Sequence, residues 1–149
     1  MEYITIQTRY AVEFGVPQAI ALHTITYFVL KNKNENRNKK NGKYWTFNSY
    51  KGWREAMPFF SEHQIRTALR SLRDKGAILT GNFNKMGYDK TYWYTLAPRL
   101  LQEAEASEYW RTRIKKAKSK ATNATDKSAA PTDKFTAPIP NNYIEIEPY

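Results

Sequence analysis

The sequence of 149 residues contains no cysteine and only two histidines, His23 and His63. Zinc fingers, disulfide frameworks and thiol nucleophiles are therefore excluded, because each of them needs Cys or a cluster of His ligands. No stretch of 18 consecutive apolar residues occurs, so the sequence predicts no transmembrane helix. The start of the chain also lacks the charged region and apolar core of a signal peptide, and we expect a cytoplasmic protein.

The sequence also lacks the motifs of the common enzyme classes. It has no phosphate-binding loop of the Gly-x-x-x-x-Gly-Lys-Ser/Thr type, no ligand set with metal spacing, and no Ser nucleophile beside a plausible base. A tyrosine nucleophile of the kind used in replication and strand transfer comes with a His-rich metal cluster, which two separated histidines cannot form. We expect no catalytic residues, no metal and no cofactor.

What the sequence has in excess is positive charge. It carries 24 Lys and Arg against 14 Asp and Glu, a net charge of +10, and 15 of the basic against 7 of the acidic side chains lie in residues 1–98. Such a surplus indicates a polyanionic partner, most often nucleic acid. A membrane surface is the alternative, and the absence of long apolar segments counts against it.

Composition divides the chain at Pro98. Residues 1–98 hold nearly all the large apolar side chains and are predicted to form one folded domain. Residues 99–120 form a basic extension, with a single helix predicted over 99–118 because acidic residues come early and basic residues late. Residues 121–149 are poor in large apolar groups and predict a flexible tail, although the alternating end Ile144–Glu147 could add as a strand to a partner's sheet.

Within the domain, apolar residues at helical spacing follow Pro17 and predict a buried helix that ends near Leu30. His23 lies in this apolar run and is interpreted as a core histidine rather than a ligand. Residues 31–43 hold six cations and five Asn, which predicts a solvated, mobile loop. A short strand over 44–47 and a helix over 50–57 follow.

The most informative segment begins at Ser61. Ser61 and Gln64 have the form of a capping box, and the helix they start is predicted to end at Lys75, before Gly76. On a helical wheel the apolar residues share one face, which is formed by Ile65, Ala68, Leu69 and Leu72. The polar residues share the opposite face, which carries His63, Arg66, Thr67, Arg70 and Asp74.

After Gly76 the periodicity becomes that of strands. Two β-rich runs around a loop with Gly and Asn predict an antiparallel hairpin, so the fold class is mainly α with a small antiparallel β-hairpin (α+β). Trp93 and its neighbours Tyr92 and Tyr94 would point to opposite faces. Core packing is the preferred role for these aromatic side chains, and stacking on single-stranded bases is the alternative.

Two helices joined by a tight turn, the second of them with a basic front, describe a helix-turn-helix whose second helix can enter the major groove. The predicted base contacts are His63, Gln64, Arg66, Thr67 and Arg70. The predicted contacts to the DNA backbone are Ser61, Arg73, Lys85, Lys90, Lys39, Lys40 and Lys43. The alternative is an ordinary amphipathic helix with a solvated face.

The pattern Ser-x-x-Gln-Ile-Arg-x-Ala-Leu-x-x-Leu-x-x-x-Gly over 61–76, followed by Asn-Phe-Asn-Lys at 82–85 and Asp-Lys-Thr-Tyr-Trp-Tyr-Thr-Leu at 89–96, resembles the winged-helix domains of bacteriophage and plasmid replication-initiation proteins. The resemblance covers residues 15–97. It implies a winged helix-turn-helix, with a recognition helix over 61–75 and a wing over 77–96, followed by the carboxyl-terminal helix and a disordered tail.

The resemblance also implies a function. It implies binding to double-stranded DNA at a replication origin, in the cytoplasm of a bacterial host, and recruitment of a host helicase or helicase loader through residues 99–149. No ATP-binding or loader domain is recognisable after the wing. A winged-helix transcriptional regulator, or an adaptor or inhibitor that uses the carboxyl-terminal helix and tail, remains an alternative. The sequence leaves the oligomeric state open, a homodimer included.

Overall fold

The structure, a computed structural model, describes residues 4–115. The helices in this range are α1 (Thr8–Phe14), α2 (Val16–Asn34), α3 (Tyr50–Ala56), α4 (Glu62–Asp74), α5 (Pro98–Glu105) and α6 (108–115). The strands are β1 (Lys39–Lys40), β2 (Lys43–Tyr44), β3 (Thr46–Phe47), β4 (Ile78–Gly81) and β5 (Trp93–Leu96). The predicted class, mainly α with a small antiparallel sheet, is confirmed for these residues.

The longest helix, α2, occupies the middle of the core. Pro17 lies in its first turn, where a backbone N–H has no intrahelical partner to lose. Every residue from 21 to 30 is buried, which is expected of a helix that is apolar on all sides. Helices α1 and α4 and strand β5 pack around α2. None of the helices within residues 4–115 combines the length and the hydropathy that a membrane span requires.

A three-stranded antiparallel sheet with the order β3-β5-β4 covers one side of the core. The predicted hairpin is present, since Ile78 pairs with Leu96 and Gly81 with Trp93. The short strand predicted over 44–47 contributes β3, which pairs Thr46 with Tyr94 on the other edge of β5. The register therefore makes β5 the central strand, with side chains directed alternately toward α4 and away from it.

Local signals set the start of α3 and both ends of α4. The Ser49 hydroxyl accepts a hydrogen bond from the Gly52 amide at 3.1 Å and caps α3. The predicted capping box of α4 is present, with Gln64 N donating to Ser61 Oγ at 3.1 Å and Ser61 N donating to Gln64 Oε1 at 2.8 Å. Gly76 follows the end of α4 with a φ of 76°, a conformation that glycine adopts without strain.

The prediction of an irregular loop over 31–43 is wrong in part. Helix α2 continues to Asn34, and strands β1 and β2 form a hairpin around Asn41 and Gly42. Both turn residues have positive φ, 52° and 76°, as a two-residue hairpin turn of type I′ requires. Composition alone suggested a solvated loop, but the Asn-Gly pair and a hydrogen bond of 3.0 Å from Trp45 Nε1 to the Lys40 carbonyl favour a hairpin.

The prediction of one continuous helix over 99–118 is also wrong. Helix α5 ends at Glu105, and α6 starts after Ser107, whose hydroxyl accepts from the Trp110 amide at 3.3 Å. The break allows Trp110 to reach the core, where its ring lies 4.8 Å from that of His23. Residues 116–120 of the predicted basic extension and the predicted flexible tail, 121–149, lie outside the described residues.

Candidate nucleic-acid interface

Helix α4 presents a polar face to the outside. Ile65, Leu69 and Leu72 are buried against the core, which directs the opposite side of the helix outward. The predicted base-contacting residues His63, Thr67 and Arg70 are all exposed on that side. Because a helix turns by about 100° per residue, Arg66 and Arg73 lie on the flank between this face and the buried one.

Ser61 and Gln64, also predicted to contact DNA, are both exposed but have a structural task. The Gln64 carboxamide oxygen accepts from the Ser61 amide, and the Ser61 hydroxyl accepts from the Gln64 amide. Gln64 lies about 160° around the helix from Arg66. Its amide NH₂ and the Ser61 hydroxyl proton are the donors that remain for another molecule.

Arg66 is held between two neighbours. Its guanidinium lies over the Tyr50 ring, 4.3 Å from the centroid, and it forms an ion pair with Glu62 one turn earlier in α4. Tyr50 is the first residue of α3, so the stack joins the two helices. Because both charged side chains are largely exposed, the ion pair contributes only about 0.2–1 kcal/mol and gives way readily to a stronger partner.

A cavity of about 290 Å³ lies between α4 and the sheet. Its main walls are three arginines of α4 and three tyrosines, and these are Arg66, Arg70, Arg73, Tyr50, Tyr92 and Tyr94. None of the described residues that line the cavity carries a carboxylate. The cavity therefore presents guanidinium groups and hydroxyls, a chemistry that favours an anion.

The three arginines differ in how far their charge is compensated. Arg66 pairs with Glu62, and Arg73 pairs with its neighbour Asp74 at 3.2 Å. Arg70 forms no ion pair within residues 4–115. It stands between the outward face of α4 and the cavity, so its charge is available to a partner on either side.

Among the tyrosines of this cavity, Tyr50 was not recognised from the sequence as a site residue, and for Tyr92 and Tyr94 base stacking was only the alternative to core packing. Tyr94 is 5% exposed, and burial together with the nearby hydroxyls of Tyr50 and Tyr92 raises its pKa above the ordinary value, against the opposing effect of Arg73 and Arg66. Tyr92 is 50% exposed and forms an edge contact with Tyr94. The alternation of Tyr92, just before β5, with Tyr94 in β5 was the available signal, but it did not show which helix they face.

The loop between β4 and β5 holds the predicted backbone contacts Lys85 and Lys90, and both are exposed. Asn84 organises this loop: its Nδ2 donates to the carbonyls of Asp89 and Thr91 at 3.0 and 2.8 Å. Its Oδ1 accepts from Trp93 Nε1 at 2.8 Å. The two lysines are thus carried on a loop whose backbone is tied to the sheet.

The predicted backbone contacts Lys39, Lys40 and Lys43 are exposed, but they lie in the β1–β2 hairpin. The Lys40 ammonium lies 6.0 Å from the centroid of the Trp93 ring. Trp93 points to the sheet face opposite Tyr94, so the sheet separates this hairpin from the arginines of α4. The structure brings Arg66, Arg70 and Arg73 together and leaves the three lysines on another side.

His23 is buried in α2, as expected of a core histidine. Burial, with a smaller contribution from the charge of Arg113, lowers its pKa to about 3, so it is neutral near pH 7. Its Nε2 has no hydrogen-bond partner among the described residues. Within residues 4–115 no three His, Asp or Glu side chains are grouped as metal ligands.

Comparisons of the chain with models of protein families, with curated proteins and with solved structures find no match.

Proposed function

We propose that the chain is a sequence-specific double-stranded DNA-binding protein with a winged helix-turn-helix. In this proposal α3 and α4 form the helix-turn-helix, α4 enters the major groove, and β4, β5 and their loop form the wing. The observation that carries the proposal is the outward face of α4, where Arg70 has no ion pair within residues 4–115 and lies on the same side as exposed His63 and Thr67.

Arg70 and Arg66 are suited to reading guanine. A guanidinium can donate two hydrogen bonds to the O6 and N7 acceptors of guanine, which is the commonest specific contact in the major groove. Arg70 can do so without giving up an ion pair, and Arg66 has to release Glu62. His63 and Thr67 supply shorter polar side chains for neighbouring base edges.

Lys85 and Lys90 contact phosphates in this proposal. They are exposed on the loop that joins the two wing strands, and the Asn84 hydrogen bonds hold that loop in place. Phosphate contacts fix the position of a protein on the duplex but read no sequence. Arg73, on the flank of α4, belongs to the same group.

The process we propose is initiation of DNA replication at the origin of a phage or mobile element, in the cytoplasm of a bacterial host. This part depends on the resemblance of residues 15–97 to replication-initiation proteins. Residues 99–149 would then recruit a host helicase or helicase loader. The sites bound in a selection distinguish the processes: direct repeats favour an origin, and a palindrome favours a symmetric dimer of a regulator.

Selection from a random duplex pool, followed by titration of the selected duplex, tests the proposal. We expect Arg70→Gln to weaken specific binding by about 1–3 kcal/mol and to relax preference at one base pair, because one bidentate contact is lost. Lys85→Gln should weaken binding to all duplexes alike and lower the salt dependence by about one ion.

Arg99→Gln is the matched control. It removes the same charge from an exposed arginine of α5 that pairs with Glu13 and Glu103, outside α4 and outside the cavity. The control should keep the selected site and its affinity. If wild type and Arg70→Gln bind every duplex equally, the proposal of base reading by α4 is wrong.

A further inference from the structure

The cavity between α4 and the sheet is a recess, and contact with the outside of a DNA duplex does not require one. An α-helix that reads base edges needs an exposed convex face, which α4 provides with His63, Thr67 and Arg70. The cavity lies to the side of that face and is bordered by Tyr94 of the sheet and by Tyr92, just before β5. Its lining is therefore a second candidate site beside that face.

We propose that this cavity binds a single nucleotide, with the phosphate on Arg70 and Arg73 and the base against the ring of Tyr92. The inference goes beyond the proposed function and does not require that the chain binds duplex DNA. The ligand has the chemistry of a nucleoside monophosphate, which can be either a free nucleotide in solution or an unpaired nucleotide within a strand.

The charges in the cavity specify an anion. Three arginine side chains line it, and none of its described lining residues carries a carboxylate. Arg70 forms no ion pair within residues 4–115. The ion pairs of Arg66 with Glu62 and of Arg73 with Asp74 are exposed, so a phosphate can displace them. Guanidinium groups bind phosphate through paired, charge-assisted hydrogen bonds, and the tyrosine hydroxyls and Thr80 provide further donors.

The size and the aromatic walls specify more than a phosphate. A cavity of about 290 Å³ lies just below the usual range of small-molecule sites, about 300–1,000 Å³, and a phosphate alone would leave much of it empty. The Tyr50 ring is already covered by the guanidinium of Arg66. The half-exposed Tyr92 ring is supported at its edge by Tyr94 and offers a face for stacking a base.

Calorimetric titration of the full chain with thymidine 5′-monophosphate, thymidine and inorganic phosphate tests the proposal. We expect the nucleotide to bind at least about tenfold more tightly than either part, because only it uses both the arginines and the tyrosine ring. Tyr92→Leu should weaken nucleotide binding by about 5- to 150-fold, the range of one base stacked on an aromatic side chain.

Tyr88→Leu is the matched control, because Tyr88 is 80% exposed on the loop between β4 and β5 and does not line the cavity. It should leave nucleotide binding unchanged. Arg70→Gln should abolish the advantage of the nucleotide over thymidine. Circular dichroism of each variant verifies that the fold is retained.

Three outcomes would overturn the proposal: no binding of the nucleotide, equal binding of inorganic phosphate and nucleotide, or equal affinity of wild type and Tyr92→Leu. Titration with a single-stranded oligothymidylate and with a hairpin duplex identifies the source. Tighter binding of the single strand than of the free nucleotide supports an unpaired nucleotide within a strand, and equal binding supports a free nucleotide. If the wild-type chain binds the nucleotide but binds no duplex sequence-specifically, the proposed function is refuted and the nucleotide site is not.

Discussion

The two faces of strand β5 carry similar side chains and use them differently. On one face Trp93 is 7% exposed, stacks on Phe47 with ring centroids 4.4 Å apart, and donates its indole N–H to Asn84. On the other face the Tyr94 ring, together with that of Tyr92 just before the strand, borders a cavity that three arginines also line. A cation is also present near the first face, since Lys40 lies over the Trp93 ring.

The difference shows that neighbouring cations and aromatic rings do not by themselves make a binding site. Around Trp93 the rings fill one another's space, and Lys40 covers the outside of a packed cluster. Beside Tyr92 the rings and guanidinium groups leave about 290 Å³ open. A binding site needs the open volume in addition to the chemistry, and only the second face has both.

The largest expected effect is on stability. Trp93→Ala should lower the free energy of unfolding by about 3–5 kcal/mol, because it empties the aromatic cluster and leaves Asn84 Oδ1 without its indole donor. Tyr92→Leu on the other face should change it by less than about 0.5 kcal/mol. Urea denaturation followed by circular dichroism measures both, and equal costs for the two variants would refute the distinction between the faces.

The buried hydroxyl of Tyr94 should make stability depend on alkaline pH. Its pKa is raised in the folded state above the ordinary value of 10.0, chiefly by burial, so the folded chain retains a proton that the unfolded chain releases. This contribution is complete below pH 10 and is lost as the pH rises further, by up to about 1.4 kcal/mol per pH unit.

The comparison of wild type with Tyr94→Phe isolates that contribution, because the phenylalanine keeps the ring and removes the titrating group. Urea denaturation at several pH values from 9 upward should show a shallower decline for the variant. Parallel declines would mean that the Tyr94 hydroxyl is not buried beside the arginines, and the two faces of β5 would then be more alike than described.

The smallest expected effect concerns the lysines behind the sheet. Replacement of Lys39, Lys40 and Lys43 together by Gln should leave the slope of log affinity against log salt for duplex DNA nearly unchanged, because their hairpin lies on the face away from α4. Replacement of Lys85 alone should lower that slope by about 0.9. A slope reduced by nearly three in the triple variant would show that the β1–β2 hairpin contacts the DNA backbone.

The parts of the fold that could be predicted were those with local signals. Ser61, Gln64 and Gly76 defined α4 to within a residue at each end, and the two β-rich runs defined the β4–β5 hairpin. The β1–β2 hairpin was missed because abundant Lys and Asn outweighed the Asn41-Gly42 turn signal. The break between α5 and α6 was missed because the reason for it, the packing of Trp110 on His23, is a contact distant in sequence.

The candidate site, like the fold, could be predicted only where the signals are local in the sequence. The wheel of α4 identified His63, Arg66, Thr67 and Arg70 as one polar side, which follows from helical periodicity alone. It did not separate Arg66, which borders the cavity, from the outward residues. The sequence prediction also placed Lys39, Lys40 and Lys43 in the same interface, because the charge of a segment does not show on which side of the sheet that segment lies.

The sequence by itself determined the positive charge, the helical periodicity and the capped ends of α4, because each depends on composition or on residues within one turn of one another. Only the tertiary structure decided that Tyr50, Tyr92 and Tyr94 meet the arginines of α4 and that Trp93 turns away from them. The antiparallel register that pairs β5 with both β3 and β4 sets that arrangement. A shift of one residue in that register would exchange the two faces, and the pairing of Thr46 with Tyr94 joins segments that are far apart in the sequence.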